Sequence, residues 1–323
     1  MNKTDIVCLP ERFHWLVSKN LTGTVRADSL IKQNLPVFSR RNREDLFSRH
    51  AVRVNGRPVS KGFRVRPGDR LEIDIPGPIS PFLIPEQVPK PSVAFEDHAL
   101  LIIEKPGLTP THPLGPFETG TLANALVYFW PRILGVGNKP LEPGLVHRLD
   151  NGTSGLLAVA LKQDTWSQMK KDLSSKRWEK TYWALVEGTI RKPMRISLPL
   201  AHDPSDNRKM KGILTPNDTH RGRIYQAVTQ ISPMKSYQDH TLVEIQLVTG
   251  VSHQIRAHLS FQGHPVVGDI LYGSTSGKEL GLSSNRFFLH AKQISLPHPI
   301  TRERITCIAE LSDDLQKVLS GLG

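Results

Sequence analysis

The sequence predicts an α+β fold: a mixed, largely antiparallel sheet with flanking helices, preceded by a small α/β domain. Three observations point there. Beyond residue 93, stretches of strand character outnumber helical ones and do not alternate with them as a doubly wound sheet requires. Six prolines (Pro76, Pro78, Pro81, Pro85, Pro89 and Pro91) separate the two parts. Proline fixes φ and removes a backbone donor, so residues 77–92 read as a semi-extended linker. Residues 1–80 hold 15 Lys and Arg against 8 Asp and Glu, so +7 of the net +12 lies in the first quarter of the chain. A chain of 323 residues, 38% hydrophobic and 22% charged, is long enough for about two globular domains.

Residues 1–21 read as an N-terminal extension and 22–76 as the small domain. Val25 to Leu35 carries a loose helical stripe that Pro36 ends. Ser39 is placed to cap a second helix through Phe47, with Arg40, Arg41 and Arg43 on its exposed side. Val52 to Val59, with Asn55-Gly56 at its middle, reads as strand, turn, strand. Val65 to Ile73 gives a further turn and an alternating strand.

The larger domain is assigned to residues 93–323. Ala99 to Lys105 reads as a buried strand, and Thr121 caps a helix through about Phe129. Gly155 to Leu161 is a short apolar strand, followed by a helix capped by Asp164 and running to about Leu173. Lys180 to Val186 and Thr241 to Val248 alternate as half-buried strands. His253 to Phe261 has helical spacing. Residues 203–223 are polar and basic, with Arg208, Lys209, Lys211, Arg221 and Arg223, and read as a long exposed loop or extended hairpin.

A net charge of +12 favours a polyanionic partner, nucleic acid ahead of a membrane surface. No apolar run reaches the ~18–20 residues of a membrane span, and Met1 to Asp5 lacks the pattern of a signal peptide. The protein is therefore expected in the cytoplasm. Cys8 and Cys307 stand far apart and read as free thiols. His253 and His258 have no cysteine nearby, so no metal site is expected.

The chemistry concentrates at His147-Arg148-Leu149-Asp150-Asn151-Gly152-Thr153-Ser154-Gly155. One carboxylate stands between a cationic shoulder and a turn of small residues. Residue types alone leave two readings: a turn cap, the commoner role of a loop Asp, or an acid held into a cleft as nucleophile or base.

The pattern His147-Arg148-Leu149-Asp150-x-x-Thr153-Ser154-Gly155 resembles the signature of the RluA-type RNA pseudouridine synthases. Further matches follow in order: Glu104-Lys105-Pro106-Gly107, Lys180 to Gly188, Thr249-Gly250 with His253 to Leu259, Gly263 to Asp269 with Leu271-Tyr272-Gly273, Leu289-His290-Ala291, and His298-Pro299. In front of them, Ser39-Arg40-Arg41, Val52 to Val59 and Gly68-Asp69 resemble an S4-type RNA-binding domain.

The resemblance implies an enzyme that isomerises uridine to pseudouridine in structured RNA. It implies catalytic roles for Asp150, for Arg256 as its counter-ion, and for Tyr182 stacked on the target base. RNA contacts are expected from His147, Arg148 and His253, and from Arg40, Arg41, Arg43 and Arg53 of the S4-like part. Large-subunit rRNA is the first expected substrate and tRNA the second. No cofactor and no metal are expected, and the protein is expected to be a monomer. The rival reading is a non-catalytic RNA-binding or ribosome-assembly protein on the same fold. Two departures stand out: Gly250-Val251-Ser252, where relatives carry Gly-Arg-x, and Asn151-Gly152, where they tend to carry a charged pair.

Overall fold

The computed structural model describes residues 12–18, 23–34, 40–74, 83–115 and 118–323. The chain divides into two compact units, residues 1–88 with 112–143, and residues 89–111 with 144–323. The segment 112–143, which the sequence reading assigns to the larger domain, groups with the N-terminal unit.

In the N-terminal unit, β1 (Arg12–Leu16), β3 (Val52–Val54), β4 (Arg57–Pro58) and β6 (Arg70–Asp74) form a sheet in the order β1-β6-β3-β4. Residues 12–16 are thus an edge strand, antiparallel to β6 from Arg12↔Asp74 to Leu16↔Arg70, and not an extension. A short pair, β2 (Val25–Arg26) with β5 (Arg64–Val65), lies apart from that sheet. Helix α1 (Ala27–Asn34) begins two residues later than the apolar stripe suggests and buries Ala27, Leu30 and Ile31. They join Val52, Val65, Leu71 and Ile73 in one apolar cluster. Helix α2 (Arg40–Ser48) follows; its expected cap, Ser39, lies outside the described residues.

Asn55 and Gly56 have φ of 51° and 80°, the left-handed pair that a two-residue hairpin needs. The Asn55 side chain accepts the Arg70 N–H and donates to Asp69, tying the two turns together. Helix α3 (Leu122–Phe129) starts where Thr121 predicts, its hydroxyl accepting the Asn124 N–H in a capping box.

The second unit is built on one large sheet. Among the described residues its strands are β7 (Val93–Glu96), β8 (Leu100–Lys105), β9 (Ser154–Ala160), β10 (Glu179–Glu187), β11 (Met194–Ser197), β15 (Val228–Ser236), β16 (His240–Leu247) and β17 (Leu289–Pro297). A ninth, β18 (Arg304–Ile308), pairs with β17. The order is β11-β15-β16-β10-β17-β9-β8-β7. Pairing is antiparallel except for β9 with β17, a parallel contact. The α+β class predicted from the sequence is the one observed. Strand β9 is buried along its whole length, which its unbroken apolar run requires.

Helix α4 (Gln163–Ser174) has Lys162 at its N-cap with no side-chain cap bond. Asp164 does not cap it but sits in the first turn, where the helix dipole favours a carboxylate. The segment 203–223, expected as a long exposed loop or extended hairpin, belongs to a small antiparallel sheet of β12 (Leu200–His202), β13 (Met210–Gly212) and β14 (Arg221–Tyr225), in which β12 and β13 form a hairpin. Helix α5 (Gln254–Phe261) and α6 (Asp313–Gly321) complete the unit.

Candidate active site

The loop after residue 146 turns back on itself before entering β9. The Thr153 N–H donates to the Asp150 carbonyl, closing a turn that leaves the Asp150 carboxylate a quarter exposed. The loop is held from behind. The Thr111 hydroxyl donates to the Leu149 carbonyl at 2.7 Å, and Lys105 Nζ donates to the Asn151 carbonyl at 3.2 Å. Arg286 donates from Nη1 to the Gly152 carbonyl and from Nη2 to Ser154 Oγ. Both cations are 1% exposed. Lys105 also donates to the carbonyls of Pro106 and Thr109, and burial together with the Arg286 charge pulls it down to about 7.

Two glycines make the fit possible. A Cβ on Gly152 would stand 2.4 Å from Phe287 Cε1 and 2.5 Å from the Asn285 carbonyl oxygen. Gly155 has φ of 108°, and its Cβ would meet the Ala291 carbonyl oxygen at 2.4 Å, where β9 runs beside β17.

The carboxylate has one bonded cation. Arg256 Nη1 donates to Asp150 Oδ2 at 3.0 Å. The other side of the guanidinium is taken by Asp269, with Nε to Oδ2 at 2.6 Å and Nη2 to Oδ1 at 2.9 Å. The guanidinium also lies over the rings of Phe287 (4.4 Å) and Tyr272 (4.9 Å). Asp269 is 1% exposed, so Arg256 is held by a buried partner and presents one N–H pair to the cleft. The two carboxylates raise the Arg256 pKa against the opposing effect of burial, the largest single influence.

Helix α5, which carries Arg256, is pinned by its own polar side chains. Gln254 accepts from the Thr249 hydroxyl and the Val251 N–H, and donates to the Val228 carbonyl and the Thr229 hydroxyl. The His258 ring spans Thr229 Oγ1 and the Leu198 carbonyl, both at 2.9 Å. Val251, the first departure from the family pattern, packs beside the cluster of Leu200, Met210, Ala227, Ala257 and Tyr272.

His253, expected to be structural or to face RNA, lines the cleft near Asp150, at the N-cap of α5 with φ of 53°. Its Nδ1 is 3.1 Å from Tyr272 Oη, and that oxygen already accepts the Met210 N–H. The Tyr272 hydroxyl can thus donate to Nδ1, which leaves the proton of the neutral ring on Nε2, 3.8 Å from Asp150 Oδ1. Burial, the largest influence, holds the ring below its ordinary pKa and therefore neutral at pH 7.

These side chains line a cleft of about 470 Å³. Tyr182 is 7% exposed and forms part of its wall. Burial first, then the Asp150 charge, raise the pKa of its phenol, so it keeps its proton at neutral pH and offers a ring face more readily than a base. Arg148 is exposed at the rim and donates to Ser252 Oγ at 3.0 Å.

His147 lines the same cleft, but its role differs from a plain RNA contact. Its Nε2 accepts the Ala158 N–H at 3.0 Å and its ring meets Trp178 edge-on. Arg43 and Arg53 belong to the N-terminal unit and do not line the cleft; Arg53 is paired with Asp74 at 2.8 Å. The side chains of Arg40 and Arg41 lie outside the described residues. The reading from sequence missed Asp269, Arg286, Gln254 and Tyr272 as site residues. Asp269 and Tyr272 stood in the matched motifs, which was the available signal.

Asp150 is the one acid in a wall that also carries Arg148, Lys170, Lys176, Lys180 and Arg256. The cleft thus holds a single carboxylate among cations. The match to known proteins narrows the class. The family model described as RNA pseudouridylate synthase matches residues 99–261. An uncharacterised RNA pseudouridine synthase of Synechocystis sp. is 34% identical over 297 residues, covering 91% of this chain and 88% of the relative. The ribosomal large subunit pseudouridine synthase D of Haemophilus ducreyi is 30% identical, with 95% and 93% covered. The solved structure of human RNA pseudouridylate synthase domain containing 1 shares the fold, with a TM-score of 0.57 at 24% identity over 73% of this chain and 90% of that one. The chain belongs to the RNA pseudouridylate synthase family and is a pseudouridine synthase by that membership.

Proposed function

We propose that the protein isomerises specific uridines of large-subunit rRNA, with Asp150 as the catalytic carboxylate. The observation that carries this is the Asp150–Arg256–Asp269 chain, in which a buried acid aims an arginine at the one acid of the cleft. Uridine and pseudouridine are isomers. The C1′–N1 bond breaks, uracil turns over, C1′–C5 forms, and the C5 proton leaves as N1 gains one. Nothing is added or removed, so the reaction calls for no oxidant, reductant or consumed water. One carboxylate suffices, either as nucleophile at C1′ or as base at C2′. Arg256 supplies that carboxylate with a hydrogen-bonded counter-charge inside the cleft.

In this reading Tyr182 stacks on the flipped uracil, and Arg148 enters the gap that the base leaves. The basic N-terminal unit, read as S4-like, supplies a sequence-independent grip on RNA. The rRNA assignment rests on relatives that are named for the large ribosomal subunit. A monomer working in the cytoplasm fits the reading.

The test is pseudouridine mapping in rRNA from cells that lack the gene, complemented with wild type or Asp150→Asn. Wild type should restore at least one missing site and Asp150→Asn none, while the variant still binds RNA. Restoration by Asp150→Asn would remove the carboxylate from the chemistry. No site missing in the deleted cells would favour the non-catalytic reading.

A further inference from the structure

Most cations of the cleft have a partner within the protein. Arg256 is bonded to two carboxylates, Arg148 to Ser252, and Lys170 to the Val146 carbonyl while lying over the Trp166 ring. Lys180 differs. It lies two residues before Tyr182 on β10, so both project to one face, and both line the cleft. Its ammonium has no hydrogen bond or ion pair among the described residues, although the residue is half-buried. Gly250 faces it: a Cβ there would stand 3.3 Å from Lys180 Nζ, so the absent side chain leaves the approach open. Burial pulls the group down to about 8, which marks an ammonium short of hydration and of a counter-ion.

The position of Lys180 along the cleft sets what it can meet. The Asp150 charge acts on Tyr182, whereas the charges of Lys180 and Lys170 fall together on His147. Lys180, Lys170 and His147 line the same cleft. Asp150, the one acid in the wall, is already paired.

We propose that Lys180 is a substrate-positioning residue that takes a backbone phosphate of the RNA next to the target uridine. This rests on the function proposed above. It makes the cleft select a nucleotide within a chain over a free nucleoside, because binding energy comes from a group that the reacting base does not carry.

The experiment compares wild type, Lys180→Met and Lys180→Arg on large-subunit rRNA transcribed with [5-³H]uridine. Filter retention across a KCl series reads binding, and tritium release reads turnover. For Lys180→Met, the slope of log affinity against log salt should shrink by about 0.7, one released counterion from a single strand. Its KM should rise about tenfold with kcat nearly unchanged. Lys180→Arg, which keeps the charge, should restore both, and melting temperatures should match. A residue that only supported the fold would leave the salt slope alone. A wild-type slope and KM in Lys180→Met overturns the proposal, as does a loss confined to kcat. If Lys180→Met fails to fold, Lys180→Gln takes its place in the same comparison. If wild type itself releases no tritium, the function proposed above falls, and the salt slope still decides the phosphate contact.

Discussion

Asp269→Asn is the sharpest perturbation of the site, because it changes one oxygen to nitrogen in a buried side chain that is bonded to Arg256, the partner of Asp150. Asp269 accepts both the Nε and Nη2 donors of Arg256 at 2.6 and 2.9 Å, and the two side chains are 1% and 7% exposed. The amide keeps one acceptor and turns a donor towards the other N–H. One charge-assisted bond becomes a repulsive contact, and the guanidinium loses half of its buried negative charge. Removing one partner of a buried pair costs about 3–5 kcal/mol, and the retained amide acceptor places this case near ~3 kcal/mol. For a unit of this size that corresponds to roughly 6–12 °C in Tm. Arg256 should then turn towards Asp150 and close the donor geometry that the cleft needs, so kcat should fall about 100-fold or more. Thermal melting and tritium release from labelled transcript measure the two effects. The double variant Arg256→Met with Asp269→Leu separates them: an apolar pair of similar size should recover most of the Tm and none of the activity. A Tm within about 1 °C of wild type in Asp269→Asn, with kcat intact, would refute the reasoning.

Three further outcomes follow from the geometry. Gly152→Ala drives a methyl into Phe287 and the Asn285 carbonyl, so it should cost about 1–3 kcal/mol and lower kcat; unchanged melting would mean that the loop yields freely. Tyr182→Phe should keep RNA affinity while Tyr182→Ala loses about 1–3 kcal/mol of it, read as KM; equal behaviour of the two would deny stacking. Burial, first among the causes, pulls His147 down to about 3 and His290 to about 4. The unfolded chain protonates both rings near pH 6.5, where the folded chain still refuses the proton. Stability from these groups is complete above about pH 6.5 and is lost as pH falls towards 4 and then 3, at roughly 1.4 kcal/mol per pH unit for each ring. Urea midpoints from about pH 7 to pH 4 should follow that slope, and a flat profile would place both rings in solvent.

Where a structural decision is local, the sequence carried it. The Thr121 cap, the Asn55-Gly56 turn and the helix from 254 to 261 lie within a residue or two of their expected bounds, because cap and turn chemistry act over a few residues. The same reasoning failed where the deciding partner is distant. Residues 12–16 are a strand because β6, some 58 residues on, offers an open edge. Residues 203–223 leave loop and hairpin both open until β12 is seen to pair with 210–212 on one side and 221–225 on the other.

At the site, Asp150, Arg256 and Tyr182 were found through a resemblance, and the structure brings them into one cleft. Arg286 and Lys105 were not found. Lys105 stood in a matched motif at the end of a strand read as buried, but its acceptors and two of those of Arg286 are backbone carbonyls, which no residue type reveals. His253 lines the cleft 3.8 Å from Asp150, with a left-handed φ at the start of its helix that no residue type reveals.

The parallel contact of β9 with β17 has a consequence for biosynthesis. Ser154 pairs with His290, and Gly152 and Ser154 are bonded by Arg286, so the loop that bears Asp150 is closed by residues about 135 positions later. Asp314, in the first turn of the last helix, accepts from Arg286 in turn. A chain emerging from the ribosome therefore exposes Asp150 with Thr111 and Lys105 already out, but long before Arg256 and Arg286 can fix its direction. Loop closure over such a span comes late in folding. The basic N-terminal unit can form early, while the carboxylate is aligned only once nearly all 323 residues are out.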